Sequence, residues 1–264
     1  MYPKVLELGP VTIHTYGLLL AAAFIAGIWI TSRNARKEGI HPDSIWNMGL
    51  VAIFSALVGA KVLLLISDYQ YYSHNFREIF SLSTLRSGGV YYGGLLLALI
   101  SAAWYLRKKH LPTWTITDLA APGIALGQAV GRLGCLSAGC CYGKPTHVPW
   151  AITFTSQYAH DNVGVPLNTP LHPTQIYESA GTFCLFLFLM WRLSRKHATG
   201  QILLEYLMLY ALLRFVIEFY RYDDRGFVLH GLLSTSQFIA ILTFIGSAAA
   251  YFFLLRRSGK AQQN

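Results

Sequence analysis

Seven stretches of this chain are apolar over the length of a bilayer crossing: residues 11–32, 46–67, 90–106, 116–138, 174–191, 202–220 and 232–255. About 20 consecutive apolar residues span the hydrocarbon as a helix. A chain with seven such runs has little choice of fold. It reads as an all-α polytopic membrane protein of about seven transmembrane helices, with residues 1–264 forming a single integral membrane domain. The run at 116–138 is the most polar, because it holds Asp118, Gln128 and Arg132 among small residues.

Composition agrees. Only 12% of the residues are charged and the mean hydropathy is +0.41, whereas soluble domains carry about 25% charged residues. The net charge of +9 is therefore no nucleic-acid footprint, since most of it flanks the apolar runs. Arg33, Arg36 and Lys37 follow the first run, and Arg107, Lys108 and Lys109 the third. Arg192, Arg195 and Lys196 follow the fifth, and Arg256, Arg257 and Lys260 the seventh. Twelve of the 21 Lys and Arg thus share one side, and the positive-inside rule makes that side cytoplasmic. The opposite side receives Lys4, Arg77, Arg86, Lys144, Arg221 and Arg225. The N-terminus is expected outside and the C-terminus inside. The first run lacks the basic leader of a cleavable signal and is expected to remain in the protein.

Two connections on the outer side are long. Residues 68–89 are rich in Tyr and Ser and suit an amphipathic cap, with Tyr69, Tyr71 and Tyr72 at the interface. Residues 139–173 carry five prolines and the alternating stretch Trp150–Thr155, which reads as a short strand or hairpin. These two regions form the small extracytoplasmic loop and strand part of the fold. No internal repeat is visible.

Polar residues inside the runs gather at one depth. His14 and Tyr16 lie in the outer part of the first run, Lys61 in the outer third of the second, and Tyr92 opens the third. Arg132 ends the fourth, His172 to Glu178 open the fifth, Arg214 and Glu218 lie in the outer half of the sixth, and Gln237 opens the seventh. The inner half has only Asp118 and Glu205 near its face. Ionisable groups in the membrane cost roughly 2.5–3.5 kcal/mol each to insert, and their collection in one layer points to a site.

Within that layer each residue has a plainer reading beside the functional one. Arg214 and Glu218, spaced i,i+4, can neutralise each other on one helix face. Arg132 can snorkel to the headgroups or pair with Glu178; otherwise it needs an external anion, and a lipid phosphate at that depth fits. Lys61 reads as snorkelling. Tyr92 lies in Ser87-Gly-Gly-Val-Tyr-Tyr-Gly-Gly94, where glycines allow something to approach the backbone closely. Cys135, Cys140 and Cys141 make no disulfide framework, and C-x4-C-C matches no regular zinc spacing, adjacent cysteines being awkward ligands for one ion. No metal and no cofactor is expected, and no nucleotide-phosphate loop or serine-nucleophile motif is present.

Gly131-Arg-Leu-Gly-Cys-Leu-Ser-Ala-Gly-Cys-Cys-Tyr-Gly143 is similar to the signature of the prolipoprotein diacylglyceryl transferases. Tyr16-Gly-Leu, Gly59-Ala-Lys61, Tyr92-Gly-Gly-Leu95, His172-Pro-Thr-Gln-Ile-Tyr-Glu178, Tyr210 to Arg221 and Leu233-Ser-Thr-Ser-Gln237 resemble further family motifs, in the same order. The resemblance implies a multi-pass enzyme of the bacterial inner membrane that moves the diacylglyceryl group of phosphatidylglycerol to the lipobox cysteine of a prolipoprotein. Its partners would be phosphatidylglycerol, prolipoprotein signal peptides and the bilayer, with no nucleic acid.

By the same resemblance Arg132 and Arg214 are the essential arginines, and Tyr16, Gly143, Tyr210, Glu218 and Arg221 support substrate binding. The chain departs from the best-studied members at three positions, which hold Tyr92 for His, Cys135 for Asn and Cys140 for Glu. Tyr92 is then the expected third catalytic residue, with His14 and His172 in reserve as bases. Two other readings stand beside this one: a related phospholipid-dependent transferase with a different acceptor, and a membrane transporter or lipid-binding protein. The last should continue its polar residues to the inner side.

Overall fold

The computed structural model describes residues 4–8, 11–81, 84, 89–222, 226–228 and 232–261. Arg86, Ser87, Gly88 and Arg225, singled out from the sequence, lie outside the described residues. The elements are β1 (Lys4–Leu8), β2 (Val11–His14), α1 (Thr15–Lys37), α2 (Pro42–Ser67), α3 (Tyr69–His74), α4 (Tyr91–Lys108), α5 (Thr113–Ala138), β3 (Ile152–Thr153), α6 (Gln157–Val163), β4 (Pro170–Leu171), α7 (Thr174–Leu193), α8 (Gln201–Glu218), β5 (Phe227–Val228), β6 (Leu233–Ser234) and α9 (Thr235–Ala261). Among the described residues, five helices, α1, α2, α5, α7 and α9, are long and apolar enough to cross a membrane. Large apolar side chains point outward from them: Phe54 on α2 is 66% exposed and Phe253 on α9 is 71% exposed. In water such surfaces would associate; in a bilayer they are the lipid face. The protein is a helical, multi-pass membrane protein.

The chain divides into two compact units, Ser32–Ile116 and the remainder. In the smaller unit α2 packs against α4 through glycines. A Cβ at Gly59 would collide with the Gly93 carbonyl oxygen, and one at Gly93 with that of Gly59. Gly94 sits against the Ala56 carbonyl in the same way. The close approach expected at the glycines flanking Tyr91 and Tyr92 is therefore that of helix α2. Such small-residue seams let helix backbones meet where no hydrophobic effect drives helices together. The connection after α2 is the short helix α3 followed by a 3-10 turn, Phe76–Phe80. Lys61 does more than snorkel, because its Nζ donates to the Thr84 carbonyl oxygen at 2.6 Å.

In the larger unit α1 crosses α5 at Gly27 and Gly123. Ala121, Ala125, Leu185, Leu189, Ile202 and Tyr206 bury the contact of α5, α7 and α8. The start of α8 is held from α5: Asp118 Oδ2 accepts from the Gly200 backbone N–H at 2.6 Å, and Oδ1 from that of Leu203 at 2.9 Å. The first N–H groups of a helix have no intrahelical partner, and a carboxylate there also meets the positive end of the helix dipole. Nearby, Glu205 Oε1 takes Arg192 at 3.0 Å and Gln201 at 3.1 Å, so the two acidic residues of this end are absorbed structurally.

At the opposite end of this unit, α5 stops in a Schellman turn. Gly139 adopts φ 79 and the Cys140 N–H reaches back to the Cys135 carbonyl. The chain then runs as three adjacent extended segments. Gly143 N–H donates to the His172 carbonyl, Lys144 N–H to that of Tyr220, and Tyr222 N–H to that of Tyr142. The strand expected within Trp150–Thr155 is β3, which pairs antiparallel with β4. Phe154, Ala159, Val165 and Leu171 make a small core beneath it. The first apolar run starts its helix only at Thr15, because residues before it pair as the hairpin β1–β2.

Candidate active site

Four helix ends of the larger unit meet at this end. Arg132 lies one to two turns before the end of α5, and Glu178 one turn into α7. Arg214 and Glu218 close α8, and Ser234 to Gln237 open α9. Successive membrane-crossing helices alternate in direction, so polar residues from the end of one and the start of the next arrive at one level.

Glu178 is the centre of the arrangement and is 1% exposed. Its Oε1 accepts from Arg132 Nη2 at 2.7 Å and from the Tyr210 hydroxyl at 3.2 Å. Its Oε2 faces Arg214 Nη1 at 3.6 Å and Arg221 Nη1 at 3.7 Å, which are ion-pair rather than hydrogen-bond distances. Arg214 Nη2 in turn meets Glu218 Oε2 at 2.5 Å and Ser236 Oγ at 3.1 Å. Glu218 Oε1 accepts from the Ser234 hydroxyl at 2.9 Å. Among the described residues of this cluster, three guanidiniums face two carboxylates, which leaves one positive charge in a largely buried place.

The surroundings hold these groups in position. Ser234 and Gln237 form a reciprocal cap at the start of α9: the Gln237 N–H donates to Ser234 Oγ and the Ser234 N–H to Gln237 Oε1, each at 3.1 Å. Ser179, next to Glu178, donates to the Ala129 carbonyl on α5 at 2.8 Å. Tyr210 stacks on Tyr206, whose hydroxyl donates to Gln128 Oε1 at 3.0 Å. Arg221 is 5% exposed, and its backbone bridges to Gly143. A Cβ at Gly143 would meet His172 Cβ at 2.6 Å and the Tyr220 carbonyl oxygen at 2.8 Å, so only glycine lets the three segments lie together.

Arg132, Arg214, Tyr210, Glu218 and Arg221, expected at a site from the sequence, are thus brought together, and Gly143 lies in the backbone beside them. Tyr16 joins the same end: a methyl group at Gly134 would come within 3.3 Å of its ring. Tyr92 opens α4 in the smaller unit, half exposed and edge-on to Tyr91 at 5.7 Å between centroids.

His172 is tied into a chain of its own. Trp150 Nε1 donates to the Tyr177 hydroxyl at 2.7 Å, and the same hydroxyl bonds His172 Nδ1 at 3.1 Å. His172 Nδ1 is thereby engaged within this chain of side chains. His14 Nε2 bonds the Tyr158 hydroxyl at 2.9 Å.

Two features escaped the sequence reading. From the sequence Glu178 reads only as a partner for Arg132, although it is the acceptor all three arginines share. Its signal was available, a carboxylate among polar residues opening an apolar run. The second is an apolar groove between α5 and α7, of about 380 Å³. Leu126, Ala129, Val130 and Leu133 line one wall, and Ile176, Ser179, Ala180 and Phe183 the other. Both stripes repeat at i, i+3, i+4 and i+7 and adjoin Arg132 and Glu178 along the same helices.

After α5, hydrogen bonds with Cys135 and Cys140, supported by the charges of Arg221 and Arg132, hold the Cys141 thiol below its ordinary value. The same thiol contacts push Cys140 up.

Comparison with known proteins matches this sequence to one family. The family model described as prolipoprotein diacylglyceryl transferase aligns with residues 3–253. A Clostridium tetani protein named phosphatidylglycerol–prolipoprotein diacylglyceryl transferase is 39% identical over 246 residues, 93% of this chain and 94% of its own length. A Finegoldia magna protein of that name is 37% identical over 237 residues, 89% of this chain and 88% of its own. In Clostridium perfringens, a phosphatidylglycerol–prolipoprotein diacylglyceryl transferase 2 is 34% identical over 245 residues, 93% of this chain and 92% of its own. The chain belongs to the prolipoprotein diacylglyceryl transferase family.

Proposed function

We propose that this protein transfers the diacylglyceryl group of phosphatidylglycerol to the lipobox cysteine of prolipoproteins, the first step of lipoprotein maturation. The carrying observation is the net positive cluster in which Arg132 and Arg214, from different helices, converge on one carboxylate. A thiolate of the prolipoprotein attacks the glycerol carbon that bears the phosphate. The new C–S bond forms as the C–O bond breaks, and glycerol phosphate leaves with the bonding pair. The thiol proton is released to a base or to the departing phosphate. Negative charge grows on that phosphate in the transition state, where fixed guanidiniums are worth several kcal/mol.

In this reading the lipid phosphate competes with Glu178 for Arg132 and Arg214. Glu178 keeps the arginines aimed while no lipid is bound. Arg221, Tyr210 and Glu218 orient them, Gly143 lets the backbone segments close, and Tyr16 borders the phosphate. The groove between α5 and α7 offers apolar walls for an acyl chain next to the headgroup position. Tyr92 is assigned as the base on sequence grounds. Seven crossings, with α4 and α8 joining the five most apolar helices, an outside N-terminus and an inside C-terminus in the bacterial inner membrane complete the proposal. That orientation puts the cluster in the outer leaflet, where the charge pattern of the loops requires it.

The test is an assay with labelled phosphatidylglycerol and a lipobox peptide, beside complementation of a strain lacking its own transferase. Thioether formation that disappears in Arg132→Ala and Arg214→Ala is the expected result. Near-wild-type lipidation by either variant would overturn the assignment. Release of glycerol phosphate without modification of the peptide would favour a related transferase with another acceptor.

A further inference from the structure

The end of α5 brings three sulfurs together. Cys135, Cys140 and Cys141 are half-buried cysteines in no disulfide, and their Sγ atoms all lie within 4.8 Å of one another. Part of this follows from the Schellman turn, which commonly sets the residues three before and two beyond the helix end in contact. That accounts for Cys135 and Cys140. It does not account for Cys141.

Adjacent side chains of an extended segment point to opposite sides, which makes neighbouring cysteines poor ligands for one ion. Cys141 escapes this rule because its φ is 62, in the left-handed region that a non-glycine residue rarely adopts. The turn brings its sulfur back to the side of the other two. The backbone is also fixed from α7: Thr174 Oγ1 donates to the Cys141 carbonyl at 2.7 Å and Gln175 Nε2 to the Cys140 carbonyl at 2.8 Å. Thr174 is 0% exposed and Gln175 1%, so the loop is held by fully buried polar groups.

We propose that Cys135, Cys140 and Cys141 form a binding site for one thiophilic divalent cation, Zn2+ in the first instance. Sulfurs on a common zinc at about 2.3 Å stand roughly 3.8–4.0 Å apart, so closure asks for a shift of less than about an ångström. Three thiols bind the ion with loss of three protons to solvent and no transfer of electrons. The product carries one negative charge, beside the arginine cluster with its one positive charge. Arg132 lies three residues before Cys135 on the same face of α5. Three protein ligands leave a fourth position for water or another small ligand.

The full-length protein, purified in detergent and kept reduced, is titrated with Cd2+ as a spectroscopic probe and with Zn2+ in competition. A saturable thiolate-to-metal absorption reaching one equivalent is expected, displaced by Zn2+. Of the four cysteines, only Cys184 should still react with a thiol reagent once the metal is bound. Cys135→Ser, Cys140→Ser or Cys141→Ser should each weaken binding by more than about tenfold, since even outer-shell partners cost 10–100-fold; Cys184→Ser should not. Absence of a saturable absorption in the wild-type protein overturns the proposal whether or not the variants fold. So does unchanged binding in the triple Cys→Ser protein.

Discussion

Arg132 on α5 and Arg214 on α8 share the carboxylate of Glu178 on α7, one at each oxygen, at 2.7 Å and 3.6 Å. Two cations that would otherwise repel are thereby held on one carboxylate in a largely buried position. A phosphodiester has the same demand on them as the carboxylate: a planar fork of donors and a delocalised negative charge. If the lipid phosphate takes the place of Glu178, as proposed, it would meet cations that are already oriented.

Glu178→Gln therefore removes more than a contact. It leaves three guanidiniums with one carboxylate, Glu218, among the described residues of the cluster. Breaking a buried ion pair from one side costs about 3–5 kcal/mol, which for a chain of this size lowers the melting midpoint by roughly ten degrees. The variant should both unfold earlier in a thermal scan and lose transfer activity. An unchanged midpoint would mean that Glu178 is no keystone of the fold, and an unchanged rate that it does not position the arginines.

Arg132→Lys and Arg214→Lys separate charge from shape. Lysine keeps the cation but lacks the planar fork. If each guanidinium holds the phosphate through paired donors, either substitution should lower the transfer rate about 100-fold or more, of the order found for a lost oxyanion donor. A lysine variant within a few-fold of wild type would show that point charge alone suffices.

Much of this was legible in the sequence because membrane chains are written simply. Apolar runs set the helices, and the few polar residues within them could be given depths by counting. Arg132, Arg214 and Glu218, given one level by counting, are consequently found together, while Tyr210 was reached only through the family resemblance. What could not be counted was rotation about each helix axis. Glu178 was assigned the right level, yet nothing in the sequence said that its face turns toward three arginines at once. Asp118 was equally opaque. It looked like an isolated charge near the inner face, whereas it caps a helix 82 residues further on. The hairpin β1–β2 was hidden for another reason: residues 11–14 are apolar enough to extend a helix, and only pairing with Lys4–Leu8 makes them a strand.

Asp118→Ala offers a contrast to the arginine variants. Loss of a capping side chain costs about 0.5–2 kcal/mol, and here two N–H groups lose their acceptor together. The expected result is a melting midpoint lower by several degrees, with the transfer rate at moderate temperature close to wild type. A large loss of rate with unchanged stability would tie the start of α8 to the chemistry.

Gly143→Ala tests the backbone beside the cluster. Its Cβ would press on both His172 and the Tyr220 carbonyl, so the segments carrying Lys144 and Arg221 must separate. Because Arg221 follows Tyr220 directly, its guanidinium should move away from Glu178. A fall in activity larger than the fall in stability is expected, compared through transfer rate and thermal midpoint. An alanine variant that matches wild type in both would show that the segments open without moving Arg221.

Tyr92→Phe tests the base. The substitution removes one oxygen from a half-exposed ring whose aromatic neighbour is Tyr91, so packing changes little. If the side chain accepts the thiol proton as its phenolate, the rate should fall by about 10²–10⁴-fold, the usual contribution of a positioned acid or base. The rates of wild type and variant are measured with labelled phosphatidylglycerol and a lipobox peptide, and equal rates would remove Tyr92 from the mechanism.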